Sequence, residues 1–356
     1  MKGAFQIKLN YGKETVSLRL PEGIPYRILN IKDFPALEDI ESAIASALRS
    51  PTGTKPLREL VKPGDKICLL VNDPTRISHS DIFLPYLVAE LKDSGIREND
   101  IYIVFASGSH RQLSQEEMAA LVGPEIAATI PMYNHNSCDS EELVYLGKTT
   151  LGTPVSINRK VVQADWRILT GSIVFHFFAG FGGGRKALVP GVAGEDTIKA
   201  NHSLMLHPQA RSGVLKGNPL HEDLLEAAQM LDRNFLFNVV LNDHKEILGI
   251  FAGDIYQAHL LGCQMVSDIY GVDIYELADV VIAGCGGYPK DINLYQAQKT
   301  LENAAGAVKE GGQVVLLAQC PEGSGSQAFE RWVCQYQKFE DMERALQENF
   351  ELGGHK

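Results

Sequence analysis

Residues 171–202 read GSIVFHFFAGFGGGRKALVPGVAGEDTIKANH, and this stretch decides the fold. The apolar, β-branched run over 167–174 predicts a buried strand that ends at His176. A loop follows with Gly180, Gly182, Gly183 and Gly184, then Arg185 and Lys186. After Pro190, Gly191 and Gly194, helical patterning starts near Glu195 and carries His202. Strand, glycine loop and helix make the repeating unit of a parallel α/β sheet. Glycine permits positive φ and close approach of backbone to another group. A glycine cluster followed by two cations is suited to cradle an anion. The plainer alternative is a glycine-rich turn between strand and helix. The loop is not a Walker motif, because Arg185 separates Gly184 from Lys186 and Ala187 follows. Two histidines and a lysine flanking one loop favour a functional reading over the plain one.

The same rhythm extends both ways. Segments 66–71 and 100–105 are nearly continuous apolar runs, as in strands buried on both faces of a parallel sheet. The first empties into Asn72-Asp73-Pro74-Thr75-Arg76 and the second into Ser107-Gly108-Ser109-His110-Arg111. Helices are predicted over 40–48, 80–91 and 114–121. Further on come a strand pair at 234–241 and 246–251, a helix at 254–269, a strand at 279–283, a helix at 301–308 and a strand at 312–318. Near the start, 5–9 and 15–20 alternate polar and apolar around Tyr11-Gly12-Lys13, which predicts a hairpin. The predicted class is α/β: two α/β domains with largely parallel sheets and an active-site cleft between them. The N-terminal domain is placed at 1–270, carrying the loop, and the C-terminal domain at 271–356.

Composition sets limits. With 45% hydrophobic and 22% charged residues over 356 positions, the chain has ample material for a core. A net charge of −11 argues against nucleic acid or an anionic membrane surface as a general partner. No apolar run approaches a membrane span and no signal-peptide core precedes the first strand, so a cytoplasmic location is expected. The six cysteines form no Cys-x-x-Cys pair, and Cys68, Cys263 and Cys285 lie in apolar runs as buried thiols.

The key regularity is positional: Asp73, Arg76, His110, His176 and Gly284 all follow the carboxyl end of an inferred strand, the edge where open α/β sheets bind ligands. Each has a plainer alternative. Asp73 before Pro74 could simply nucleate a turn. Arg76 is a surface cation or a fork for a carboxylate. His110 is an ordinary loop residue or an acid/base. His176, between Phe175 and Phe177, is a core histidine or a base kept neutral by its apolar surround. Lys186 is a solvated lysine or a desolvated amine activated for covalent chemistry. His202 is a surface residue or a metal ligand. His207 lies further along, at a spacing of five, and no His-Glu-x-x-His occurs, so a zinc-protease reading is weak. Gln296 and Lys299 are three apart and would share a helix face. His135 is read as structural.

Assembled, these residues resemble the lactate racemase family of nickel-pincer enzymes. The resemblance rests on DPTR at Asp73 to Arg76, GSHR at Gly108 to Arg111, HFFAGFGGGRKALVPGVAG at His176 to Gly194, Asn201-His202, and YQAQK at Tyr295 to Lys299. It implies a racemase or epimerase of a 2-hydroxy acid, lactate-like, acting by hydride abstraction and return. The implied cofactor is a nickel-pincer nucleotide, a pyridinium-3-thioamide-5-thiocarboxylic acid mononucleotide tethered covalently to Lys186. Square-planar coordination is an ordinary nickel preference. His202 matches the protein's nickel ligand, His110 and His176 the acid/base pair, and Arg76, Gln296 and Lys299 the substrate-positioning residues. Asp73, Thr75, Gly182, Gly183 and Gly184 are placed beside the cofactor. Cofactor-maturation proteins are the implied partners. The C-terminal domain, ending at Lys356, is expected to be shorter than in the family. Other substrates in view are malate, longer aliphatic acids, aryl lactates and sugar acids. The other classes in view are a nicotinamide-dependent dehydrogenase and a non-catalytic nucleotide- or nickel-binding module.

Overall fold

The computed structural model describes residues 6–348 and 350. The chain divides into two compact units: Lys32–Gly271 is one, and residues up to 31 join those from 272 onward in the other.

The first unit is built on a six-stranded sheet. Its spatial order is Ile247–Gly253, Asn234–Leu241, Trp166–Ser172, Ile67–Asn72, Ile101–Ala106, Met132–Asn134. Five strands run parallel, and the Ile247–Gly253 edge pairs antiparallel to its neighbour. The apolar runs read as buried strands are buried, from Ile67 to Val71 and, with Tyr102 half-buried, from Ile101 to Phe105. The helix Ser80–Asp93 covers the sheet with Phe83, Leu84, Leu87 and Leu91, and the Phe83 ring lies 4.9 Å from that of Phe237. Burial of each such side chain stabilises the fold by about 1.5–3 kcal/mol. The helix Gln115–Val122 starts where Ser114 and Glu117 form a reciprocal capping box, a signal visible in the sequence.

Strand order fixes where a ligand would go. From Ile67–Asn72 the chain builds outward through Ile101–Ala106 to Met132–Asn134. It then crosses to Trp166–Ser172 on the other side and builds outward again. The order reverses between Ile67–Asn72 and Trp166–Ser172, and such a reversal opens a crevice at the carboxyl ends of the strands. Asp73 to Arg76 follow one flanking strand and His176 follows the other, while His110 follows the next strand along.

In the second unit, Ala278–Gly284 and Val308–Leu317 pair in parallel beside the helices Leu294–Ala305, Gln327–Gln335 and Phe339–Glu348. The hairpin Gln6–Tyr11 and Glu14–Arg19 also belongs here, not with residues 32–270 as the sequence suggested. The Gly12 N–H donates to Asp291 Oδ2 (2.7 Å) and the Tyr288 N–H donates to the Gly12 carbonyl (2.8 Å). Alternation reveals a hairpin but not which unit its turn is bonded into. The helix predicted over 301–308 instead runs Leu294–Ala305, because the Asn293 side chain caps it by accepting the Gln296 N–H. The expected truncation at 351–356 lies outside the described residues. Among the described residues no helix is long and apolar enough to cross a membrane.

Candidate active site

Asp73 is buried, and its Oδ1 accepts both the Thr75 N–H (2.8 Å) and the Thr75 hydroxyl (2.5 Å). This is the turn that Asp before Pro predicts, and it commits the Thr75 hydroxyl to Asp73. The other carboxylate oxygen lies 2.7 Å from His110 Nδ1. Burial pushes the Asp73 carboxyl up, but hydrogen bonds from His110 and Thr75 outweigh it and hold the group below its usual range. An ionised Asp73 can only accept, so His110 carries its proton on Nδ1. The Nε2 lone pair is then left free on a ring whose side chain is 53% exposed. A carboxylate behind a half-exposed imidazole is the arrangement of an oriented general base.

His176 is buried at 7% exposure in a two-residue strand paired with Gly180–Phe181. The Ala179 N–H donates to His176 Nδ1 (3.3 Å), which puts the neutral ring's proton on Nε2. That nitrogen lies 3.2 Å from Lys186 Nζ. The contact is a hydrogen bond only if the amine presents a lone pair. Burial independently drives both groups toward neutrality: the Lys186 amine and the His176 ring fall well below their ordinary values. Arg76 and Arg185 add to the effect on both. A neutral lysine amine is a nucleophile.

The turn into this site depends on Gly180, at φ +73°, where an added Cβ would lie 2.2 Å from the Val214 carbonyl oxygen. Gly180→Ala is therefore expected to cost about 3 kcal/mol through left-handed strain and overlap. Urea unfolding followed by fluorescence checks this, and an unchanged midpoint would show that the turn relaxes around a methyl group.

On the side that a Cβ would occupy, the glycine cluster is packed against protein. A Cβ on Gly183 would meet Asn238 Oδ1 at 2.7 Å, one on Gly184 would meet His259 Cδ2 at 2.7 Å, and one on Gly182 would meet Val174 Cγ2 at 3.3 Å. Protein already occupies the space that glycine vacates, and the Gly184 N–H donates to Asn238 Oδ1 (2.8 Å). Arg185 also points inward. It is 1% exposed and donates to the Ala179 carbonyl (2.9 Å). Burial lowers its pKa to about 10, so it stays charged at neutral pH. His259 and His221 are buried near it. Burial first, and the Arg185 charge second, lower both rings, His221 to about 3. Asn238, His259 and His221 were not singled out by sequence, because nothing local marks a polar residue that a distant loop packs against.

His202 lies on the helix Glu195–Ser203 with its ring 5.1 Å from Phe178, edge to face. Burial lowers its pKa to about 3. Its Nδ1 faces only the Ile198 carbonyl one turn back and makes no well-formed hydrogen bond. A neutral, desolvated imidazole suits metal ligation. Among the described residues no three His, Cys, Asp or Glu side chains group as a metal cage. A single imidazole here would fit a metal whose other donors arrive with a cofactor. His207 is not further along this helix, as expected, because the helix ends at Ser203. Its Nδ1 accepts the Gln209 N–H in the turn beyond. His135 is buried, with Nε2 2.9 Å from the Ala193 carbonyl, in the structural role expected of it.

Arg76 is exposed and makes no ion pair among the described residues. Gln296 and Lys299 belong to the second unit and sit together on Leu294–Ala305, with Lys299 Nζ donating to Gln296 Oε1 (2.8 Å). The buried thiols Cys68, Cys263 and Cys285 are as expected, and all six cysteines are free.

Fold and site together define an α/β enzyme that sets two histidines and a lysine at the carboxyl edge of its sheet. The family described as the lactate racemase N-terminal domain matches residues 11–213, and the lactate racemase C-terminal domain matches 274–351. A lactate racemase of Thermoanaerobacterium thermosaccharolyticum is 37% identical over 330 residues, covering 92% of this chain and 77% of the relative. One from Lactiplantibacillus plantarum is 37% identical over 291 residues, covering 81% and 68%. The solved lactate racemase apoprotein of T. thermosaccharolyticum superposes with a TM-score of 0.87 at 35% identity, over 97% of this chain and 82% of that one. A Thermotoga maritima structure shares the fold at 19% identity and a TM-score of 0.64, over 84% and 78%. The chain belongs to the lactate racemase family and is an isomerase. The first strand opens into Asn72-Asp73-Pro74 with no glycine fingerprint, which with the family sets aside the dinucleotide dehydrogenase.

Proposed function

We propose that this chain racemises lactate or a close 2-hydroxy acid, with a nickel-pincer nucleotide tethered through Lys186. The observation that carries the reading is the contact between His176 Nε2 and the buried Lys186 amine, on the sheet edge where Asp73 backs His110. Lys186 would hold the group and His202 its nickel. When bound, it supplies the hydride acceptor that no side chain offers. The chain's residues do the rest. His110 Nε2, oriented by Asp73, takes the hydroxyl proton of one enantiomer, and His176 would take that of the other at Nε2 once the ring's own proton has moved to Nδ1, which requires the long bond from the Ala179 N–H (3.3 Å) to open. After reorientation of the flat 2-keto acid, the opposite histidine returns a proton to the oxygen. The Arg76 guanidinium matches a carboxylate in shape and charge. Gln296 and Lys299 are the pair that would hold the reacting oxygens. Phe177 and Phe178, packed on the His176 ring, keep water away from it. Maturation proteins would load the group, and the six free cysteines suit a reducing cytoplasm.

A panel of 2-hydroxy acids scored by chiral chromatography tests the substrate, and no racemisation of any member by nickel-loaded protein would overturn the reading. For the metal, His202→Ala is expected to keep the adduct on Lys186 while losing bound nickel or its absorbance. Unchanged nickel stoichiometry and spectrum would remove His202 from the role.

A further inference from the structure

The helix that presents His202 is held by a buried carboxylate that pairs with no cation among the described residues. Asp223, on the helix Pro219–Gln229, is 1% exposed. Its Oδ1 accepts the Thr149 hydroxyl (2.5 Å), and its Oδ2 accepts the Thr153 hydroxyl (2.9 Å) and the Asn201 amide (2.8 Å). Thr149 Oγ1 also accepts the Thr153 N–H (3.0 Å), which closes the turn that carries both threonines. Asn201 directly precedes His202 and is fully buried. Its amide nitrogen donates to Asp223 and to the Leu220 carbonyl (3.2 Å), two acceptors that fix which way the amide faces. The other end of the His202 helix is held separately, by the Ser156 N–H donating to Thr197 Oγ1 (3.0 Å) and the Glu195 N–H donating to the Ser137 carbonyl (2.9 Å). Asp223 is thus the anchor of the last turn alone, the turn that bears the imidazole.

We propose that Asp223 is a positioning residue for His202, acting through Asn201 to fix the last turn of its helix. A buried carboxylate satisfied only by neutral donors is an expensive way to tie one turn, since an apolar residue would avoid the desolvation. What it provides is direction: three convergent donors admit one placement of Asn201, and so one placement of the residue after it. Groups behind a metal ligand set its orientation, and their loss typically costs about 10–100-fold in metal affinity.

The proposal rests on the reading of His202 as nickel ligand, and the experiment separates the two. Asp223→Ala, Asn201→Ala, their double variant and the conservative Asp223→Asn are matured, and nickel is counted per tethered cofactor by metal analysis against intact mass. In the apoprotein, the ring resonances of His202 are followed by selective histidine labelling. Asp223→Ala and Asn201→Ala are each expected to lower nickel per adduct about tenfold and to move the His202 resonances. Asp223→Asn, which keeps an acceptor toward Asn201, stays near the parent. The double variant is no worse than the more damaging single one, because both changes cut one chain of contacts. If Asp223→Ala does not fold, Asn201→Ala carries the same test from the other end. A lower melting temperature with nickel and resonances unchanged would overturn the proposal, as would losses that multiply in the double variant. If instead His202→Ala keeps its nickel, the ligand assignment is wrong, and the apoprotein resonances alone decide the role of Asp223.

Discussion

Lys186→Ala is expected to give a folded protein with no covalent adduct and no racemisation. The loss should exceed the roughly 10²–10⁴-fold typical of an acid–base residue, because the redox step goes with the cofactor. The structure supports the choice of this lysine in two ways. Its amine meets a histidine nitrogen that already carries a proton, and burial pushes its pKa well below the ordinary lysine value. Burying an amine without a counter-charge is costly, so Lys186→Met, of similar length, should leave the apoprotein at least as stable as the parent. Intact mass and chiral chromatography together check the prediction, and parent-level racemisation by either variant would end the tether assignment.

The second large effect concerns the histidine pair. If His110 and His176 are the acid–base pair, overall racemisation uses both in every turnover, one as base and the other as acid. Removing either should therefore depress both directions by a similar factor of about 10²–10⁴, as the fixed equilibrium between enantiomers also demands. A single-turnover experiment tells them apart. Each variant is mixed with one enantiomer and reduction of the cofactor is followed optically. His110→Ala should fail to oxidise one enantiomer while still oxidising the other, and His176→Ala should show the reverse preference. Oxidation of both enantiomers at the parent's rate by both variants would make these histidines structural. The two residues need not be equally sensitive. His110 is half-exposed and held by Asp73, whereas His176 is enclosed by Phe177, Phe178 and Lys186.

Much of this architecture is legible in the chain. The strands at 67–72, 101–106 and 166–172 announce themselves as continuous apolar runs, and the polar residues after them mark the ligand edge. The boundary near 271 coincides with a change of pattern. What escaped is non-local. The glycines of 182–184 read as a place for a ligand, yet Asn238 and His259 fill the space beside them, residues 50 or more positions away. Arg185 reads as one of two cations for an anion and is instead interior, donating to the Ala179 carbonyl. The N-terminal hairpin declares its own shape but not its hydrogen bond to Asp291. The roles of Gln296 and Lys299 came from resemblance, whereas their contact with each other follows from helix periodicity alone.

The cluster behind the glycine loop gives the unit an acid floor. In the folded chain the His221 and His259 rings are neutral, held down by burial and by the Arg185 charge, His221 to about 3. Released by unfolding, each ring returns to an ordinary value near 6.5. Below that pH the unfolded chain binds protons that the folded chain refuses, so stability falls as pH falls, by up to about 1.4 kcal/mol per pH unit for each ring. For His221 the decline runs from about 6.5 down to about 3. Carboxylates paired in the native state lose their contribution only near their own lower values, so the histidines act first. Mild acid is thus expected to weaken this unit by proton uptake into its interior, behind the loop that carries Arg185 and Lys186.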